Sequence, residues 1–178
     1  MSVWTRHLAV AFIVLGSLAA NAAPDSRLID QFGHRVGAQE LNGHWLLVYF
    51  GYTACPDICP TALTTMTAVV HRLDADGVKV TPLFVSVDPA HDSPARLREF
   101  AAHFHPRLRV LTGDRAALAD AAQSFGVPVK SSGGGIDHGV MIYLAAPDGR
   151  VVKTFHSAQR VAEILAGIRA ALSKHSAI

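Results

Sequence analysis

Residues 45–73 read WLLVYF-GYTACPDICP-TALTTMTAVVHRL and carry the clearest structural signal in the chain. The continuous apolar run at 45–50 is typical of a strand that is buried on both faces. Apolar residues then recur at helical spacing from Pro60 to Leu73, and a proline is tolerated in the first turn of a helix. The segment therefore predicts a buried strand and a helix that starts at Pro60, with Cys55 and Cys59 between them.

The flanking segments continue this alternation of strands and helices. Residues 28–30 and 35–37 predict a short β-hairpin around Gly33. Downstream we predict strands at 80–87 and 109–111, helices at 94–104, 115–125 and 159–172, a flexible glycine-rich loop at 131–135, and a hairpin of strands 140–145 and 150–155. This order predicts an α/β fold of the thioredoxin-like type: a central mixed β-sheet flanked by helices, with an N-terminal β-hairpin.

Composition limits the classes of function that the chain can serve. Half of the 178 residues are hydrophobic and 17% are charged, which favours a folded protein over a disordered one. Residues 23–178 suit a single domain with a full core. The net charge of +2 is small and dispersed, so we expect no binding to nucleic acid. Nothing in the sequence requires more than a monomer.

The N-terminus has the features of an export signal. Arg6 precedes an apolar run at residues 8–20, and Ala20-Asn21-Ala22 is typical of a cleavage site. We predict a signal peptide at residues 1–22 and a periplasmic or exported protein. The alternative is an uncleaved segment that anchors the protein to the inner membrane, although a membrane-spanning helix needs about 20 apolar residues.

Cys55 and Cys59 are the two cysteines of the chain. Residues at i and i+4 on a turn that enters a helix face the same side, close enough for a disulfide or a shared metal ion. The helix N-terminus is expected to favour the thiolate form of both sulfurs. Dithiol oxidoreductases of this fold typically use C-x-x-C, and the extra residue here loosens the coupling of the two thiols. A plain structural disulfide remains an alternative.

Two thiolates leave a metal ion under-coordinated, and His138 is the candidate for the third ligand. It lies between the glycine-rich loop and the strand predicted at 140–145, whose start should lie beside the cysteines. Two thiolates and an imidazole suit trigonal Cu(I) and can also hold Cu(II). The alternative for His138 is an ordinary surface histidine. We predict that His103 and His105, another closely spaced pair, are solvated.

The cysteine segment resembles a known family. Residues 50–61, FGYTACPDICPT, resemble the cysteine motif of Sco/SenC proteins, and the resemblance continues through VSVDP at 85–89, DSP at 92–94, LTG at 111–113 and Asp137-His138. It implies a thioredoxin-like fold that binds one copper ion through Cys55, Cys59 and His138. Asp57 and Asp88 match acids of the family that lie near the site.

The resemblance also implies a function. It predicts a metallochaperone that takes copper from an upstream donor protein and delivers it, in the periplasm, to the binuclear copper site of cytochrome c oxidase or to another cuproprotein. The alternative is a thiol–disulfide reductase that keeps the oxidase cysteines reduced, with Cys55 and Cys59 as its catalytic residues. A peroxiredoxin-like peroxidase is disfavoured, because the threonine expected three residues before its nucleophile is replaced by Tyr52. Gly139 stands where the family usually has Ser or Thr, which predicts a more mobile His138 and a lower copper affinity.

Overall fold

The structure, a computed structural model, describes residues 27–128, 130–132, 135–137 and 139–175. The strands are β1 (Leu28–Asp30), β2 (Arg35–Val36), β3 (Trp45–Gly51), β4 (Val80–Ser86), β5 (Arg109–Gly113), β6 (Lys130–Ser132), β7 (Gly135–Asp137), β8 (Met141–Ala145) and β9 (Val151–His156). The helices are α1 (Ala38–Leu41), α2 (Ile58–Ala75), α3 (Pro94–Ala101), α4 (Arg115–Ser124) and α5 (Val161–His175).

The main sheet has the strand order β2-β1-β5-β4-β3-β8-β9. Its centre is parallel, because β4 pairs in parallel with both β3 and β5. Antiparallel pairs complete both sides: β8 and β9 beyond β3, and the β1–β2 hairpin beyond β5. The register of the β8–β9 pair shifts between Leu144 and Ala145. The predicted mixed sheet and N-terminal hairpin are confirmed.

Helices cover both faces of this sheet. The side chains of β3 alternate between the two layers: Leu47 and Tyr49 pack in one core, Leu46, Val48 and Phe50 in the other. The first core is closed by α2, α3 and α5, and the second by α4 and the short α1. Burial on both faces explains why β3 is a continuous apolar run. The predicted thioredoxin-like arrangement of helices around a mixed sheet is therefore observed.

Some boundaries differ from the predictions. Helix α2 begins at Ile58 rather than Pro60, so Pro60 occupies its first turn and Cys59 lies inside the helix. The segment predicted as a flexible loop at 131–135 contributes to a second sheet, in which β6 and β7 pair antiparallel and Ser132 is opposite Gly135. Glycines between two short runs are also typical of a hairpin connection, and the prediction missed this.

His105 is buried, not solvated as predicted, with 3% of its surface exposed. Its Nε2 lies 3.4 Å from Asp74 Oδ2, and its Nδ1 accepts a hydrogen bond from the Arg107 backbone N–H. Burial, together with the nearby charges of His71 and Arg107, lowers the pKa of His105. These partners join the C-terminal end of α2 to the segment that enters β5, and they give His105 a structural role.

The predictions for residues 1–22 lie outside the described residues. Among the helices that the structure does describe, none is both long enough and apolar enough to cross a membrane.

Candidate metal centre

The two cysteines lie where β3 passes into α2, at the carboxyl edge of the parallel strands. They are not joined by a disulfide. The Cys55 backbone N–H donates to the Tyr52 carbonyl across 3.2 Å, which closes the turn after β3. The Cys59 backbone N–H in turn donates to Cys55 Sγ across 3.4 Å. The first N–H groups of a helix lack partners within the helix, so the Cys55 sulfur takes the place of a capping acceptor.

The two sulfurs differ in burial. Cys59 lies on the buried face of α2, at 0% exposed, whereas Cys55 is partly exposed. Burial raises the pKa of the Cys59 thiol to about 12, and the neighbouring Cys55 adds to this effect. The expectation that the helix N-terminus favours the Cys59 thiolate is therefore wrong for the metal-free protein. Loss of hydration outweighs the helix dipole at this depth.

Tyr49, on β3, lies against the buried cysteine. Its side chain is fully buried and interacts with Cys59, and burial followed by the Cys59 charge raises the pKa of its hydroxyl. The hydroxyl therefore remains protonated and polar beside the sulfur. Its place in the apolar run of β3 gave no sign of this contact in the sequence.

Gly51 ends β3 directly beneath the cysteine pair. A Cβ atom at this position would lie 2.8 Å from Cys59 Sγ and 2.8 Å from Phe84 Cε2. Both neighbours are fully buried, so neither has space to move aside. The absence of a side chain at Gly51 therefore lets Cys59 pack against the strand.

Replacing Gly51 by alanine should lower the free energy of unfolding by about 1–3 kcal/mol and displace the Cys59 sulfur. Urea denaturation monitored by circular dichroism measures the change in the free energy of unfolding. Cu(I) titration detects displacement of the Cys59 sulfur as a lower copper affinity. Gly37→Ala is a matched control, because a Cβ atom there meets only Gln39 N, at 3.9 Å. Equal stability of the two variants would contradict this account of Gly51.

The predicted third ligand, His138, lies outside the described residues. In the described parts of the chain, no group of three or more His, Cys, Asp or Glu side chains could hold a metal ion. The start of β8 lies at the cysteine edge of the sheet, because Ile142 pairs with Tyr49 near the end of β3. Gly139 has a φ of 71°, a conformation that favours glycine over the Ser or Thr usual in the family.

The two acids that match the family, Asp57 and Asp88, lie in different segments of the chain. Asp57 directly precedes α2. Asp88 follows β4, and its carboxylate interacts with His91 Nδ1 at 2.8 Å. The residue that the sequence analysis missed is Asp92, a buried carboxylate bonded to the cysteine loop. Asp92 belongs to the segment at 92–94 that resembles the family. Nothing in the sequence indicates that a carboxylate in such a loop is buried.

Two soft sulfur donors at one helix terminus fit a thiophilic metal such as Cu(I). Cys55 is partly exposed at the protein surface, whereas Cys59 is fully buried. The described part of the site therefore supplies two of the three donors that a trigonal Cu(I) site needs.

Known proteins are similar to this chain in both sequence and fold. Protein SCO2 homolog, mitochondrial, of Danio rerio is 39% identical over 153 residues, which cover 82% of this chain and 55% of that protein. The SCO2-like protein RT0576 of Rickettsia typhi is 36% identical, over 78% of this chain and 73% of that protein. The chain thus spans little more than half of the first relative and about three quarters of the second.

Solved structures agree with these relatives. Arabidopsis thaliana ScoI with copper bound superposes with a TM-score of 0.77 and 34% identity, covering 83% of this chain and 95% of that one. Bradyrhizobium japonicum ScoI with copper bound gives 0.70 and 37%, covering 80% and 94%. The model of the SCO1/SenC family matches residues 17–173, which include both cysteines and His138. The chain therefore belongs to the SCO1/SenC family.

Proposed function

We propose that this protein is a copper chaperone that delivers copper to the binuclear copper site of cytochrome c oxidase in the periplasm. The observation that carries the proposal is the pair of thiols at the N-terminus of α2, where the Cys59 backbone N–H donates to Cys55 Sγ. Copper-bound ScoI structures with the same fold support copper as the metal. BsSco, described as a member of the Sco family of cytochrome c oxidase assembly proteins, supports the recipient.

The proposed ligands are Cys55, Cys59 and His138. Support for His138 comes from chain geometry: it precedes Met141, the first residue of β8, by three positions, a reach of about 10 Å at most. The start of β8 adjoins the end of β3, from which the cysteine loop continues. A ligand at position 138 therefore needs no rearrangement of the sheet.

The unequal burial of the thiols suggests the order of copper release. A recipient thiolate can approach the partly exposed Cys55 first, form a new copper–sulfur bond and displace that ligand. Cys59, which is fully buried, then leaves last. The imidazole of His138 would be displaced by a recipient ligand between these two steps. Copper keeps its oxidation state throughout, because each step exchanges one ligand for another without electron transfer.

Anaerobic Cu(I) titration of the reduced protein against a competing chelator tests the proposal. We expect one copper ion per chain, and we expect His138→Ala to weaken binding by more than about tenfold, since a ligand contributes at least as much as the groups that orient it. His103→Ala removes an exposed histidine and should leave the affinity unchanged. Weak binding that is the same in the wild type and both variants would contradict the three-ligand site.

A thiol–disulfide reductase is the second candidate, favoured by the neighbouring thiols of Cys55 and Cys59 and by the disulfide switch described for BsSco. The Cys55 thiolate would attack a partner disulfide and form a mixed disulfide, and Cys59 would then displace the partner. The partner gains two electrons and two protons, and this chain is left with a Cys55–Cys59 disulfide. Reduction of an oxidase-derived disulfide that survives His138→Ala, without tight copper binding, would favour this function.

A further inference from the structure

Asp92 is a buried carboxylate in the segment between β4 and α3, with 1% of its surface exposed. Its Oδ1 accepts a hydrogen bond from Thr53 Oγ1 at 2.5 Å. Its Oδ2 accepts two more, from the Thr53 backbone N–H at 3.0 Å and from Ser86 Oγ at 2.6 Å. Burying a charged carboxylate costs several kcal/mol unless hydrogen bonds compensate for the lost hydration. These three bonds provide that compensation for Asp92.

These bonds connect three elements at the carboxyl edge of the sheet. Thr53 belongs to the loop after β3 and stands two residues before Cys55. Ser86 is the last residue of β4, the strand that pairs with β3. Asp92 directly precedes Ser93, whose side chain caps α3. One carboxylate therefore fixes the start of the cysteine loop to the neighbouring strand and to the next helix.

Arg96 completes the network from the first turn of α3. Its Nε donates to Thr53 Oγ1 across 2.6 Å and lies 3.9 Å from Asp92 Oδ1. The Thr53 hydroxyl thus donates to Asp92 and accepts from Arg96, which leaves it a single orientation. The positive charge of Arg96 also offsets the buried negative charge of Asp92. Thr53 is therefore held through both its backbone and its side chain.

We infer that Asp92 is a positioning residue for the cysteine pair: it fixes Thr53, and through Thr53 the place of Cys55 relative to Cys59. As far as it concerns copper, this inference rests on the proposed function. Asp92 contacts neither sulfur in the described interactions, and it acts by restricting the loop that carries Cys55. Groups that orient metal ligands typically contribute about 10–100-fold to metal affinity.

The first test is the Cu(I) affinity of Asp92→Ala, measured by chelator competition. We expect it to fall by about tenfold or more. Asp92→Asn should recover part of the affinity, because the amide oxygen can accept both bonds that Oδ2 accepts, whereas the amide NH2 cannot accept the Thr53 hydroxyl as Oδ1 does. Thr53→Val, which leaves the Asp92–Ser86 bond in place, should also weaken binding, and it provides the test if Asp92→Ala does not fold.

Asp74→Ala is the matched control for a loss of stability alone. Asp74 is also a carboxylate held by an arginine, with Arg107 Nη2 at 2.5 Å, and it is mostly buried. It lies in α2 about 22 Å beyond Cys59, at about 1.5 Å per residue. Its loss should lower the unfolding midpoint in urea and leave the Cu(I) affinity unchanged.

The second test does not involve copper. The Cys55–Cys59 disulfide is equilibrated with glutathione in the wild type and the same variants. A freed loop lowers the effective concentration of one thiol near the other, so Asp92→Ala should make the disulfide about tenfold easier to reduce, about 30 mV in potential. Asp74→Ala should show no change.

The outcomes separate the two proposals. Wild-type protein that fails to bind Cu(I) would overturn the chaperone function, and the glutathione equilibrium would then decide the role of Asp92 alone. Folded Asp92→Ala and Thr53→Val proteins with both properties unchanged would overturn the positioning role. A change of the same size in Asp74→Ala would overturn it as well, because the effect would then follow stability and not position.

Discussion

Cys55→Ser and Cys59→Ser proteins are both expected to lose tight Cu(I) binding, but the second should lose much more stability than the first. Copper affinity should fall by more than about 100-fold in each, because a ligand contributes more than the groups that orient it. Cys59 is fully buried, so its serine variant places a hydroxyl in the core and should lower the free energy of unfolding by about 1–3 kcal/mol. Replacing the partly exposed Cys55 by serine should lower the free energy of unfolding by about 0.5 kcal/mol or less.

Chelator competition and urea denaturation of the apo proteins measure the two quantities. Cys59→Ala is a matched control, because it removes the ligand without burying a hydroxyl, and it should keep more stability than Cys59→Ser. Equal loss of stability in Cys55→Ser and Cys59→Ser would show that the burial of Cys59 has no energetic role. Retention of tight binding in either serine variant would contradict the proposed ligands.

Copper affinity should rise steeply with pH and should keep rising above pH 9, where an ordinary thiol is already largely deprotonated. Copper binds the thiolate, so binding displaces the Cys59 proton at any pH below its pKa of about 12. The apparent association constant should therefore rise about tenfold per pH unit from this residue alone. Between pH 9 and pH 11 that is an increase of about 100-fold, whereas a thiol with the ordinary pKa near 9 would give almost none.

The same shift determines how the apo protein responds to alkali. The folded pKa of Cys59 lies above its ordinary value of 9.0, so the unfolded chain gives up this proton first. The stability contributed by the neutral thiol is complete below pH 9 and is lost as the pH rises toward 12. Competition titrations at several pH values, with the chelator calibrated at each, test the affinity. A plateau in affinity above pH 9 would show that Cys59 is not desolvated.

The fold could be predicted from sequence because its main signals are local. The apolar run of β3, the helical spacing that follows it and the turn residues of the β8–β9 hairpin each determine one element. The start of α2 was predicted two residues late, because Pro60 is allowed at several positions of a first turn. The β6–β7 pair was missed, because serine and glycine carry little strand propensity.

The candidate site was only partly predictable. Two cysteines four residues apart indicate a shared site, since helix geometry brings them together. The burial of Cys59 was not predictable, because it depends on Gly51 and Tyr49 beneath it in the folded sheet. Asp92 was missed for a similar reason: its partners Thr53 and Ser86 belong to different elements, and only the sheet brings them together.

The two outer strands of the main sheet bear on whether copies of the chain join edge to edge. At one side β2 contains only two residues, which offers an added strand little to pair with. At the other side β9 carries Lys153, whose Nζ lies over the Phe155 ring, and the register of the β8–β9 pair shifts between Leu144 and Ala145. Short, charged and irregular edges disfavour aggregation through strand addition. The partly exposed Cys55 thus belongs to a molecule whose sheet edges disfavour pairing between copies of the chain.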